Sequence, residues 1–198
     1  MTLTIPLTFS FKGMRNYVHG TDIYNRMFDF FQQKHIKPSK LDLSFHGIAS
    51  KNMSLSFDMP ENKSMVKFIC KYTDEKEQIK ICYGIEREEH IYERIDCPEE
   101  EIISRAKIDK ENQSIYLSEK TPFTFIEEIV SLNKKLLTTM CNEKQGKWYF
   151  TRLQLNMIPL LNFQSINLVL KANFNYKLTK TEVFQGNNSL GFIYFSMV

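Results

Sequence analysis

The chain has 198 residues, 26 Lys+Arg against 23 Asp+Glu for a net charge of +3, and it is 42% hydrophobic and 13% aromatic. That apolar content can offset the entropy of ordering, which excludes a disordered chain, and Gly 7 with Pro 6 exclude collagen-like or linker-dominated sequences. The charge surplus is too mild to imply a nucleic-acid partner, which requires a clustered basic face.

The first residues, MTLTIPLTFSFKGMRNY, lack a basic stretch followed by an unbroken apolar run, so no signal peptide is expected. No segment reaches about 18 consecutive apolar residues, so no membrane span is expected either. Cys70, Cys82, Cys97 and Cys141 form no C-x-x-C pair, and thiols at Cys70 and Cys82 inside apolar runs behave as small hydrophobes. A reducing cytoplasm suits them. No His/Cys/Asp/Glu group has metal-ligand spacing and no glycine-rich phosphate loop occurs, so neither metal nor cofactor is expected.

Met1 to Phe11 reads as a strand. A helix follows from Thr21 to about Gln33, where Ile23, Met27, Phe30 and Phe31 share one face that Tyr24 and Phe28 widen. Thr21 is expected to cap it, and Asp22 suits the positive end of its dipole. The pattern then changes to period 2. Leu41, Leu43 and Phe45 alternate, then Met53, Leu55 and Phe57, then Val66, Phe68, Cys70 and Tyr72, then Ile79, Ile81 and Tyr83.

The acidic run Glu86 to Glu101, within the connection 86–103, reads as a solvated face with room for a strand of its own. Gln113 to Leu117 reads as a strand before a second helix, Thr121 to about Met140, with Thr121 as N-cap and Pro122 at the first helical position. Strands follow at Tyr149 to Met157, Ile166 to Tyr176 and Phe192 to Phe195. The stretch Gln185 to Ser189 forms a hairpin loop between the last two strands.

Strand, helix, then several antiparallel strands thus occurs twice, in units 1–85 and 104–198 joined by 86–103. The fold class is α+β. A long helix wrapped by a curled antiparallel sheet resembles the hotdog superfamily, and two such units resemble its double-hotdog arrangement. The superfamily includes acyl-thioester dehydratases, thioesterases and non-catalytic relatives.

The resemblance implies an acyl thioester of coenzyme A or acyl carrier protein as partner, bound where two hotdogs meet, beside the N-terminus of a central helix. Backbone N–H groups there can polarise the carbonyl. The matching segment here is Arg15 to Asp22. A dehydratase of this kind places a histidine just before one helix and an acid on the partner helix. His19 therefore becomes the candidate base or acid, with Glu127 or Glu128 as the carboxylate. Arg15, Tyr17, Gly20 and Asp22 become candidate substrate contacts, and Gly13 and Gly20 are expected to give the loop backbone freedom. His35, His46 and His90 are expected to be solvated or to favour a helix end. The functional expectation is an acyl-thioester binding or processing protein, dehydratase- or thioesterase-like, in lipid or polyketide synthesis. The alternative is a non-catalytic hotdog scaffold or interaction subunit. Either could form a homo-oligomer or join a larger complex.

Overall fold

A helix with a continuous apolar face needs strands to cover it, and each half of this chain contains both a long helix and the strands that follow it. The computed structural model describes residues 4–119, 121–141, 146–159 and 165–198. It divides into two compact units, Met1–Cys97 and Pro98–Val198.

The first unit holds β1 (Thr4–Leu7), β2 (Phe11–Lys12), α1 (Gly20–Gln33), β3 (Lys40–Phe45), β4 (Lys51–Ser56), a 3₁₀ turn (Lys63–Met65), β5 (Val66–Thr73), β6 (Ile79–His90) and β7 (Arg94–Ile95). Its strands run in the order β1-β4-β6-β5-β3 with antiparallel neighbours, and β2 pairs separately with β7 in parallel. Ile23, Tyr24, Met27, Phe30 and Phe31 are the buried apolar face of α1. Phe31 meets Tyr72 of β5 with ring centroids 4.8 Å apart, and Phe30 meets Phe57 just beyond β4 at 6.0 Å. Burial, with lesser contributions from Cys82, Cys70 and Asp74, pushes the Tyr72 phenol up to about 12. The helix ends where Lys34 leaves the helical conformation, and His35 turns the chain at φ 54°.

The second unit holds α2 (Glu99–Ser104), β8 (Lys107–Asp109), β9 (Ser114–Leu117), α3 (Phe125–Met140), β10 (Trp148–Leu155), β11 (Ile166–Phe174), β12 (Leu178–Gln185) and β13 (Asn188–Met197). Its strands run β10-β13-β12-β11-β9-β8, again antiparallel. Gly186, at φ 57°, and Asn187 make the expected hairpin turn between β12 and β13. Ile126, Ile129, Val130, Leu132, Leu136 and Leu137 are all buried, so α3 is covered around most of its circumference. It packs on β9, β11 and α2, and Lys134 ties it to Glu99 of α2 at 2.5 Å.

Four expectations are corrected. The acidic run holds more than the one strand allowed for it: β6 continues through His90, and β7 and α2 follow. Its charges are anchored. Glu86 accepts from the Ser50 and Lys51 amides and pairs with Lys67 at 3.1 Å, and Glu88 pairs with Lys51 at 2.6 Å. Next, α3 starts one turn later than expected, because Thr124 and Glu127 form a capping box that outcompetes Thr121. Finally, Thr21 lies inside α1 and His19 holds the N-cap position. The strand expected from Met1 to Phe11 is two short ones, β1 and β2, and Met1–Leu3 lie outside the described residues. Among the described residues the four cysteines are free, with Cys70 and Cys82 buried directly opposite one another on β5 and β6. No helix among them is long and apolar enough to cross a membrane.

Gly84 of β6, directly opposite Phe68 of β5, shows how tightly the neighbouring strands pack. A Cβ built there would lie 1.9 Å from the fully buried Phe68 ring, so Gly84→Ala must displace that ring. Gly84→Ala should therefore destabilise by about 1–3 kcal/mol, and Phe31→Ala by about 3–5 kcal/mol. Urea unfolding of both variants checks this, and unchanged midpoints would mean the core is misassigned.

Glu86 gives a pH signature. Burial works to raise its carboxyl, but the Ser50 amide, Lys67 and the Lys51 amide together lower it below the usual value. A lowered folded-state value stabilises the protein above the ordinary glutamate range, near about 4.3, and that stability is lost as pH falls through the folded value. The stability gap between wild type and Glu86→Gln should be largest at neutral pH and close in acid. Unfolding free energies measured across this range would show it.

Candidate functional site at the helix starts

The start of α1 is built from a loop, a short strand and the end of the first unit. Phe11 and Lys12 pair with Arg94 and Ile95 in β2 and β7. Gly13 follows at φ 55°, the left-handed region that glycine adopts without strain. Arg94 stacks its guanidinium over Phe11 at 5.5 Å and donates to the carbonyls of Gly13 and Arg15, the latter at 2.7 Å. Arg15 donates to Cys97 Sγ at 3.0 Å. The Val18 amide donates to the Ala49 carbonyl at 2.8 Å, which anchors the far end of the loop.

His19 then takes an extended N-cap conformation, φ −74° and ψ 139°, and its carbonyl accepts the first helical amides from Asp22 and Ile23. Its ring caps no backbone amide. Instead Nδ1 lies 2.7 Å from Thr21 Oγ1. Lys12 approaches the same oxygen, with Nζ donating at 3.2 Å, and pairs with Asp22 at 2.7 Å. Only 4% of the Lys12 side chain and 16% of the Asp22 side chain is exposed.

A cation at a helix N-terminus opposes the macrodipole, and burying an ammonium is costly by itself. Asp22 offsets both penalties. It therefore acts as a charge partner rather than as a backbone cap. Gly20 lies in the first helical turn with no positive φ, so it is not the source of backbone freedom; Gly13 is. Tyr17 is half-buried in the loop.

At the start of α3, sequence adjacency conceals two different environments. Glu127 accepts from both the amide and the hydroxyl of Thr124, at 3.1 Å and 2.8 Å, on the surface. One residue on, about 100° around the helix, Glu128 is fully buried and accepts from Thr121 Oγ1 at 2.5 Å. Thr121 Oγ1 in turn accepts from the Phe123 amide at 3.1 Å, so the threonine expected as a cap braces the buried carboxyl.

Of the expected residues, the structure gathers His19, Asp22 and the Arg15 loop around α1 and assigns Glu127 a capping task. Lys12 and Arg94 went unrecognised in the sequence. A lysine two residues into an apolar strand, ten before an aspartate, carries no periodic signal that distinguishes it from a solvated one. His46 is exposed and bonded to Ser44, and His90 is exposed near Tyr92. No group of three or more His, Cys, Asp or Glu among the described residues is arranged to hold a metal ion.

No family model matches the sequence, and no curated protein matches it. Solved structures do. The chain is similar to the dehydratase domain of PpsC from Mycobacterium tuberculosis in complex with C12:1-CoA, with TM-score 0.52 and 6% identity over 92% of this chain and 85% of that one. It is also similar to the pyran synthase domain from module nine of the sorangicin pathway, with TM-score 0.52 and 8% identity over 98% of this chain and 92% of that one. At such identities the likeness is one of fold. The protein has the hotdog fold.

If the Lys12–Asp22 pair supports this end of α1, removing one partner must strand the other. Lys12→Met alone should cost about 3–5 kcal/mol, while Lys12→Met with Asp22→Leu should recover most of the loss. Equal losses in the single and double variants would contradict the pairing.

Proposed function

We propose that this protein binds and processes an acyl thioester carried by coenzyme A or acyl carrier protein, in the manner of hotdog dehydratases or thioesterases, each of its units being one hotdog. The observation that carries the reading is His19 at the N-cap of α1, held by a bonded loop rather than by solvent. The Asp22 and Ile23 amides donate to the His19 carbonyl, so helix geometry leaves the Gly20 and Thr21 amides as those without a helical carbonyl to bond, and such amides favour a carbonyl oxygen that gains negative charge. The complex of the structurally similar PpsC domain with C12:1-CoA supports the choice of ligand class.

Glu128 is the better carboxylate than Glu127. A buried carboxyl with a hydroxyl partner can hold or release a proton away from bulk water, whereas Glu127 is committed to its capping box. Dehydration needs such groups, since an α-proton leaves and the departing hydroxyl must be protonated. Lipid or polyketide assembly is the setting in which such thioesters arise.

The test is a panel of acyl-CoA and acyl-carrier-protein thioesters of graded chain length, followed by calorimetry and mass spectrometry. We expect saturable binding of some acyl-CoA members and none of free CoA. Turnover should fall about 10²–10⁴-fold in His19→Ala and in Glu128→Gln, measured on folded protein. Absence of binding and turnover across the panel would overturn the reading.

A scaffold role is the second reading, favoured by Met14 and Tyr92, large side chains that are 96% and 90% exposed. It predicts a self-associated or partner-bound particle in sedimentation. A monomer that turns over thioesters would contradict it.

A further inference from the structure

Asn133 breaks the apolar pattern of α3. Its neighbours one and two turns away on the same helix face are Ile126, Ile129, Leu136 and Leu137, each fully buried. The helix packs on β9 and β11, so this face meets the apolar interior of the second unit. Asn133 is itself fully buried, yet neither its Oδ1 nor its Nδ2 bonds any group among the described residues. Thr181 repeats the anomaly on the sheet. It alternates on β12 with Thr179 and Val183, both fully buried, so it points inward, and its Oγ1 is likewise without a partner.

A buried carboxamide gives up hydration at both ends, and here no protein group compensates. Leucine at this position would continue the apolar face and avoid that loss. Departures of this kind mark places where a chain gives up stability for a function. Glu128 lies about 140° around the helix from Asn133, so the two groups serve different parts of a ligand.

The open donors and acceptors define the chemistry that fits. A carboxamide sets an acceptor oxygen beside a donor nitrogen, and a hydroxyl group answers both. The residues sharing the face are uncharged, so an ionised group there would be buried without a counter-ion. The remaining surroundings suit hydrocarbon. We propose that the interior of the second unit takes an apolar chain bearing a hydroxyl group, and that Asn133 selects for that hydroxyl. The arrival of the chain as an acyl thioester rests on the reading above. Recognition of its hydroxyl rests on the unpaired groups of the interior.

Calorimetry on the full chain tests this with dodecanoyl-CoA and with the same thioester hydroxylated at graded positions along the chain. Wild-type protein should bind one hydroxylated isomer at least about tenfold more tightly than the plain chain. Asn133→Leu should abolish or invert that preference while still binding the plain chain. Asn133→Ala also removes the carboxamide and should lose the preference too, which covers the case in which leucine does not fit. Dodecanoic acid and its hydroxylated isomers form a second arm that needs no thioester.

No preference for a hydroxyl in either arm would overturn the proposal, as would a preference that survives in both Asn133 variants. In either case the carboxamide is served by internal water only. The two readings fail separately. An Asn133-dependent preference among the free acids, with no thioester bound, would keep the site and remove the proposed function. Thioester binding that ignores the hydroxyl would do the reverse.

Discussion

Burying an ammonium group at the positive end of a helix is unfavourable twice, once for lost hydration and once for the dipole it faces. The α1 N-terminus is organised around that constraint. Asp22 sits in the first turn, where its charge suits the dipole, and its pairing with Lys12 makes the buried cation tolerable. From there the consequences run outward. Lys12 can approach Thr21 because β2 is pinned by β7, and Thr21 can meet the His19 ring because His19 stays extended rather than helical. A charge pair of this kind contributes little net stability over a well-packed apolar pair. Its value lies in position: the ion pair holds Lys12 beside Thr21, at the edge of the His19 ring.

The loop before α1 depends on residues more than seventy positions later. Arg94 binds two of its carbonyls and covers Phe11, and Cys97 receives Arg15. These contacts make the end of the first unit part of the support for the candidate site, although its composition reads as a solvated linker. The second unit solves the same problem with nearer residues. Thr124 and Glu127 close the helix on the surface, which frees Thr121 to brace the buried Glu128.

Much of this architecture could be read from the pattern of apolar residues. The aromatic face of α1, the alternation through β3 to β6 and the turn at Gly186–Asn187 depend on local periodicity, so sequence reasoning finds them. The repeated order of strand, helix and strands pointed to the hotdog fold for the same reason. Side-chain pairing was less legible. Thr121 and Thr124 are both good caps, and what decides between them is the glutamate three residues after Thr124, together with the burial of Glu128 beside Thr121. Glu127 and Glu128 differ only in which side of α3 faces the core. Lys12 is unreadable for a deeper reason. Whether a lysine is buried depends on a partner charge and on a covering loop, and neither leaves a period in the sequence. The charge-rich stretch after Ile85 misled because alternating charges on the open face of β6 have the composition of a linker.

The proposed role of the α1 N-terminus, to hold a thioester carbonyl, is tested most directly by a crystal structure of the protein with a non-hydrolysable acyl-CoA analogue, an ester or ketone in place of the thioester. The proposal predicts the analogue's carbonyl oxygen within hydrogen-bond distance of the His19 ring or the Gly20 and Thr21 amides, with the Lys12–Asp22 pair intact. An analogue bound elsewhere, or Lys12 swung into solvent, would contradict it.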